Sequence, residues 1–137
     1  MKRILLAASA IFGLAAPAVA QVQQPLSPPS MRKDLQHHDL QGTDREVFQS
    51  EVSLEPGASF PRHSHPGEEF IYVLKGMWIY QIDGQPPVTV KAGDALFIPY
   101  GAVHSAQNIG SETGIELATH VIEKGKPLLS LAGEKQK

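Results

Sequence analysis

Residues 57–76 read GASFPRHSHPGEEFIYVLKG, and residues 93–108 read GDALFIPYGAVHSAQN. The first stretch carries His63 and His65, which are two apart and in a strand share one face. Glu69 has the same parity, although Pro66-Gly67 breaks the strand between them. From Phe70 to Leu74 the chain is apolar and rich in aromatic and branched side chains, which is a strand pattern. Glu69 opens that strand and faces the interior if Ile71 and Val73 do. A buried carboxylate is costly unless it is paired or metal-bound. A divalent cation held by imidazoles would supply the pairing, and His104 in the second stretch offers a further imidazole. Such a mixed nitrogen and oxygen set suits iron, manganese, nickel, copper or zinc, whereas magnesium and calcium prefer all-oxygen shells. Taken singly, each residue has a plainer reading. One HxH pair is a weak signal, His104 could be a turn histidine after Pro99 and Gly101, and Glu68 competes with Glu69 for the ligand role.

Around these residues glycine and proline mark turns at regular intervals. Pro56-Gly57 precedes the histidine strand, Pro66-Gly67 separates the pair from the glutamate, and Asp83-Gly84 is a hairpin signal. Ala92-Gly93-Asp94 turns the chain before Ala95 to Ile98, Pro99 ends that run, and Gly101 allows the backbone back toward His104. Strand patterns are dense and helix patterns poor. Runs lie at Glu46 to Leu54, Met77 to Ile82, Val88 to Val90, Leu96 to Ile98 and Ile115 to Ile122. About eight short strands with Gly and Pro turns between them spell an all-β sandwich or closed barrel in one domain.

The two stretches resemble the paired motifs of the cupin superfamily. The first motif is matched by Gly57, His63, His65, Glu69 and Gly76, the second by Gly93, Pro99, Gly101, His104 and Asn108, with no departure in spacing. The resemblance extends over about residues 40 to 125 and implies a double-stranded β-helix, the jelly-roll barrel. It implies one divalent metal ion (Fe, Mn, Cu, Zn or Ni) on His63, His65, Glu69 and His104, with positions left for substrate, water or dioxygen. The same spacing places Glu69 ahead of Glu68. Enzymes among the proteins it resembles include dioxygenases acting on flavonols or diketones, isomerases and decarboxylases, and fold does not choose between them.

Residues 1–20, MKRILLAASAIFGLAAPAVA, read as a secretory signal peptide, with Lys2 and Arg3 before an apolar run and Ala18-Val19-Ala20 as a cleavage site. A membrane anchor is the rival reading, but the apolar run is short for a span, and no stable membrane insertion is expected. The expected compartment is secreted, the periplasm if the host is a Gram-negative bacterium. Cleavage would leave 117 residues and a formal charge near −4, which argues against nucleic acid as a partner. With no cysteine in the chain, thiolate ligands, thiol nucleophiles and iron–sulfur clusters are excluded. Residues 21–39 form a polar, proline-rich N-terminal arm, 40–125 the cupin domain and 126–137 a C-terminal tail. Within the arm, His37 and His38 are expected in solvent, with a weak metal contact as the alternative. Small cupins commonly pair through sheet edges or an exchanged arm, so a homodimer is expected.

The cavity wall is less determined. Trp78, Tyr80 and Ile82 share one parity, and Met77, Ile79 and Gln81 the other; one set faces inward. Phe60 is expected in the core, and Tyr100 at the barrel mouth is a candidate substrate contact. His120 either looks into the cavity as a base or lies exposed beside Glu116. Glu69 and His120 are therefore the candidate catalytic residues. The expected function is a metal-dependent, dioxygenase-like enzyme acting on a small phenolic or diketone-like molecule. Its alternatives are a non-catalytic metal or small-molecule binding protein of the cell envelope, and a metal-dependent hydrolase, lyase or isomerase.

Overall fold

The computed structural model describes residues 31–133; the signal segment at 1–20 and the arm up to residue 30 lie outside them. Ten strands follow one another along the described chain: β1 (Met31–Asp39), β2 (Arg45–Leu54), β3 (Ser59–Ser64), β4 (Gly67–Lys75), β5 (Met77–Ile82), β6 (Val88–Lys91), β7 (Ala95–Ile98), β8 (His104–Asn108), β9 (Gly114–Glu123) and β10 (Ser130–Leu131). They form two five-stranded sheets, ordered β1-β2-β9-β4-β7 and β10-β3-β8-β5-β6. Every pairing is antiparallel. This is the all-β double-stranded β-helix that the sequence led us to expect. Among the described residues no helix is long and apolar enough to cross a membrane.

Alternation decides which side chains fill the barrel. On β4, Glu69, Ile71 and Val73 are buried while Phe70, Tyr72 and Leu74 are exposed. On β5 the buried set is Trp78, Tyr80 and Ile82, which settles the parity question, with Met77 and Gln81 outside. β9 alternates without a break, burying Gly114, Glu116, Ala118, His120 and Ile122. The apolar core gathers Leu54, Ile71, Val73, Trp78, Ile82, Val90 and Ile98 between the sheets. Each large side chain so buried contributes roughly 1.5–3 kcal/mol. Phe60 is partly buried and packs against this core.

Three features differ from the sequence reading. Residues 31–39, assigned to the arm, form a strand that pairs with β2 from Met31↔Ser53 to Asp39↔Glu46, so the first sheet starts before residue 40. β1 is an edge strand whose side chains from Arg32 to Asp39 are all exposed, so it carries no apolar alternation for a sequence reading to find. The tail also joins the barrel: Ser130 and Leu131 pair with Ser64 and His63. Gly67, read as a turn residue, opens β4 for a different reason. A Cβ there would lie 2.1 Å from the Val121 carbonyl oxygen and 2.5 Å from the Ile122 Cα, so only glycine lets β4 approach β9.

Candidate metal centre

The backbone register builds the centre from two cross-strand pairs, one on each sheet. His63 on β3 faces His104 on β8, and Glu69 on β4 faces His120 on β9. Directly opposite residues share a face, so each pair projects into the barrel together. His65 joins them just beyond the end of β3. All five side chains are buried.

Three of the rings are fixed by backbone carbonyls. Nδ1 of His63 donates to Pro61 O at 2.7 Å, Nδ1 of His65 to Leu128 O at 2.7 Å, and Nδ1 of His104 to Ala102 O at 2.9 Å. A carbonyl can only accept, so the proton is on Nδ1 and Nε2 carries the free lone pair in the neutral ring. Locking one nitrogen in this way is how proteins orient metal-binding imidazoles.

Glu69 is the hub. Its Oε2 lies 3.3 Å from His65 Nε2 and 3.1 Å from His104 Nε2, and its Oε1 lies 3.1 Å from His120 Nε2. Burial works to raise the Glu69 pKa, but the imidazoles of His104, His120 and His65 outweigh it and hold the carboxyl well below its ordinary range. Burial also lowers the pKa of His63, to about 4, with help from neighbouring His104, so that ring is neutral at pH 7. For His104 burial is outweighed by Glu69, and the pKa is raised.

The donor atoms fall into two overlapping triads, His63–His65–His104 and His65–Glu69–His120, each with its ligand atoms within 4.8 Å of one another. His65 Nε2 and Glu69 Oε2 are buried with no hydrogen-bond partner. Atoms bound at about 2.1 Å to one ion lie roughly 3.0–3.4 Å apart, depending on geometry. The separations around Glu69 have this size, and the orphaned atoms are those an ion would satisfy. The residues thus fit a divalent transition metal. Glu68, the rival for the ligand role, points away from the centre: it is half-buried and paired with Arg45.

The five residues line a cavity of about 60 Å³ together with Arg32, Ser50, Val52, Leu54, Phe60, Trp78, Tyr80, Ala106, Glu116, Leu128 and Leu129. Phe60 meets the His63 ring edge-on, with centroids 4.7 Å apart. Tyr100 is not on this wall; it is exposed, donates its hydroxyl to Glu123 and lies beside the Arg45 guanidinium. His37 and His38 are exposed, and His37 is stacked on Phe48 and bonded to Glu46 at 2.8 Å. His37, Asp39 and Glu46 form a third, mostly exposed cluster of metal-ligating type.

Sequence reasoning missed Arg32, Ser50 and Glu116 on the wall. Arg32 lay in the supposed arm and reaches the cavity through β1, where it pairs with Asp34 at 2.6 Å. Ser50 and Glu116 are polar residues at inward positions of β2 and β9, which was the available signal. Burial pushes the Glu116 carboxyl up to about 8, against the hydrogen bond from Tyr80 and with the help of the Glu69 charge. Burial likewise raises the Tyr80 hydroxyl well above its ordinary range, and the Glu116 charge adds to the effect.

Several known proteins are similar to this chain. The oxalate-binding protein of Thermotoga maritima is 38% identical over 72 residues, which are 52% of this chain and 58% of that protein. The dimethylsulfoniopropionate lyase DddQ of Ruegeria pomeroyi is 34% identical over 56 residues, 41% of this chain and 28% of the lyase. Its crystal structure superposes with a TM-score of 0.58 over 69% of this chain and 47% of that one, at 24% identity. An oxalate oxidase in complex with the substrate analogue glycolate superposes with a TM-score of 0.56 at 26% identity, over 63% of this chain and 46% of that one. The chain therefore spans less than two thirds of each of these relatives. A family model described as a cupin domain matches residues 50–135, more than half of the chain, and on that match the protein belongs to the cupin family.

Proposed function

We propose that the protein is a metal-dependent enzyme of dioxygenase-like type acting on a small oxygenated organic molecule. The observation that carries this reading is the convergence of four buried histidines and Glu69, from both sheets, on one cavity, three rings with Nε2 left free by backbone bonds. His63, His65, His104 and Glu69 would hold the metal. When bound, such a metal polarises a substrate oxygen and, if it is iron, manganese, nickel or copper, supports dioxygen chemistry. Glu69 has a second use. When its Oε2 is engaged, Oε1 remains against His120 Nε2 at 3.1 Å, a path by which a proton taken from substrate can pass to the imidazole. Phe60, Trp78 and Leu54 give the cavity apolar lining.

The cavity volume restricts the substrate. About 60 Å³ accommodates a handful of heavy atoms, which favours a diketone or a short acid over a polycyclic phenol. The test is oxygen uptake by protein loaded in turn with Fe, Mn, Cu, Ni and Zn and offered small diketones, hydroxy acids and phenols. Uptake with one redox-active metal is expected; no uptake with any metal removes the oxygenase reading. Turnover with zinc and without dioxygen would mark a lyase, hydrolase or isomerase instead. A binding protein is the second reading, favoured by the small cavity and by similarity to the oxalate-binding protein.

Export through residues 1–20 and homodimer formation belong to the same proposal. Phe70, Tyr72, Leu74 and Phe97 are exposed on β4 and β7, with the Phe70 and Phe97 rings 5.2 Å apart, an apolar outer face suited to a second copy. Sedimentation of the mature protein would read a dimer, and a monomer at all concentrations would remove it.

A further inference from the structure

Beyond the metal centre, the cavity has a second polar wall that the proposed chemistry does not use. Along β9 the inward residues run His120, Ala118, Glu116. His120 is level with Glu69, Ala118 with Ser50 on β2, and Glu116 with Val52 and Val73. At about 3.4 Å per residue, the backbone of Glu116 lies roughly 13 Å along the barrel from that of His120, with Ser50 about midway. Ala118, at the middle level, contributes only a methyl group. Across the barrel, Tyr80 on β5 donates its hydroxyl to Glu116 Oε2. Ser50, Tyr80 and Glu116 all line the same cavity as the histidines.

Ser50 is the informative member. It is 0% exposed, and its Oγ has no hydrogen-bond partner. An unsatisfied buried hydroxyl is destabilising, so its place on a cavity wall asks for a ligand atom that would bond it. The donors can be counted. The Tyr80 proton is engaged by Glu116 Oε2, so the hydroxyl of Ser50 is free to donate, as is the second carboxyl oxygen of Glu116 in its neutral form. Ser50 and Glu116 sit on adjacent strands two residues apart in register, and both line the cavity.

We propose that Ser50 and Glu116, the latter braced by Tyr80, form an oxygen-binding subsite that takes a carbonyl or carboxylate oxygen of a short substrate whose other end meets the histidine wall. This inference rests on the small-molecule reading of the cavity and names the substrate class: a two-ended oxygen compound, a diketone or a short hydroxy or keto acid.

Calorimetric titration of cobalt-loaded full-length mature protein with glycolate, acetylacetone and ethylene glycol tests it, with the cobalt visible spectrum as a second readout. Wild type should bind glycolate or acetylacetone, and ethylene glycol far more weakly because it has no carbonyl. Ser50→Ala should weaken binding by about tenfold, the worth of one buried hydrogen bond, while cobalt content stays unchanged. Without ligand, Ser50→Ala should melt at the same temperature as wild type or higher, since an orphaned hydroxyl has been removed; a residue with a purely structural role would give the opposite. Glu116→Leu should weaken binding as much, and Glu116→Gln, which keeps a donor, should restore most of it. Equal affinity in wild type and Ser50→Ala overturns the subsite, as does weakening that tracks loss of cobalt. Failure of wild type to bind either carbonyl probe overturns the substrate class. Binding without oxygen uptake under any metal sinks the oxygenase reading and leaves the subsite standing.

Discussion

His65 and Leu128 are joined across 63 residues of sequence: the imidazole Nδ1 donates to the Leu128 carbonyl at 2.7 Å. The end of the described chain thereby fixes the tautomer and tilt of a ring that shares both histidine triads. Truncation after Pro127 should leave the two sheets folded by circular dichroism. It should also lower metal affinity by about 10–100-fold, the usual effect of losing a partner that orients a ligand. Competition with a chromophoric chelator would measure this, and unchanged affinity would show that His65 is oriented without the tail.

Each of His63→Ala, His65→Ala and His104→Ala should strip most of the metal from purified protein, as read by elemental analysis. Glu69→Ala should do the same, while Glu68→Ala should retain metal. Glu68 serves only its pair with Arg45 at the barrel surface, and such exposed pairs are worth about 1 kcal/mol or less. Metal loss in Glu68→Ala with retention in Glu69→Ala would move the ligand by one residue.

Glu116 makes stability depend on pH in a definite direction. Its folded pKa of about 8 stands above its ordinary 4.5, so the folded protein keeps a proton that the unfolded chain has released. Its favourable contribution is complete below about pH 4.5 and is lost progressively as pH rises toward about 8. Urea unfolding of metal-free protein at about pH 5.5 and about pH 8.5 should show a loss of a few kcal/mol at the higher pH. Glu116→Gln should flatten that difference. Glu69, whose pKa is lowered, acts only below its ordinary value and stays outside this window.

Gly67→Ala should be among the most damaging single-methyl changes in the chain, costing roughly 4 kcal/mol or more, because the new atom strikes backbone that cannot rotate away. Gly84→Ala is the control. It has open space around its Cβ and a φ of 77°, so only the left-handed conformation is penalised, at about 1–2 kcal/mol. Thermal melts of the two variants should differ by several degrees, and equal melts would place the β4–β9 approach among flexible features.

Asn108, the last residue of the second motif, is explained by its bonds. It is 0% exposed, donates to Leu54 O at 2.9 Å and Glu112 O at 2.8 Å, and accepts from Gly110 N at 2.8 Å. Asn108→Ala should therefore destabilise by about 2–4 kcal/mol, since the Leu54 and Glu112 carbonyls and the Gly110 amide lose their partner together. Metal stoichiometry of the protein that remains folded should be unchanged.

These examples show where the sequence was legible. The spacing of Gly57, His63, His65, Glu69, Pro99 and His104 was enough for the barrel and for the histidines that meet in it. A period of two assigns residues to two faces but does not say which face is inside, so Trp78 and Tyr80 stayed undecided until β5 was seen paired with β8. His120 needed a long-range fact, its register opposite Glu69, which no local pattern contains. Arg32 was harder still, because an all-polar edge strand is held by backbone bonds to β2 and leaves no hydrophobic trace.

The Leu128 contact also orders events in time. A chain emerging from the ribosome presents His63, His65 and Glu69 long before Leu128 is made. Until the last strand docks, His65 lacks the carbonyl that sets its proton. The pocket is thus finished by the C-terminal part of the described chain, and the His65 ring gains its orienting bond only where that segment has docked and β10 has closed onto β3.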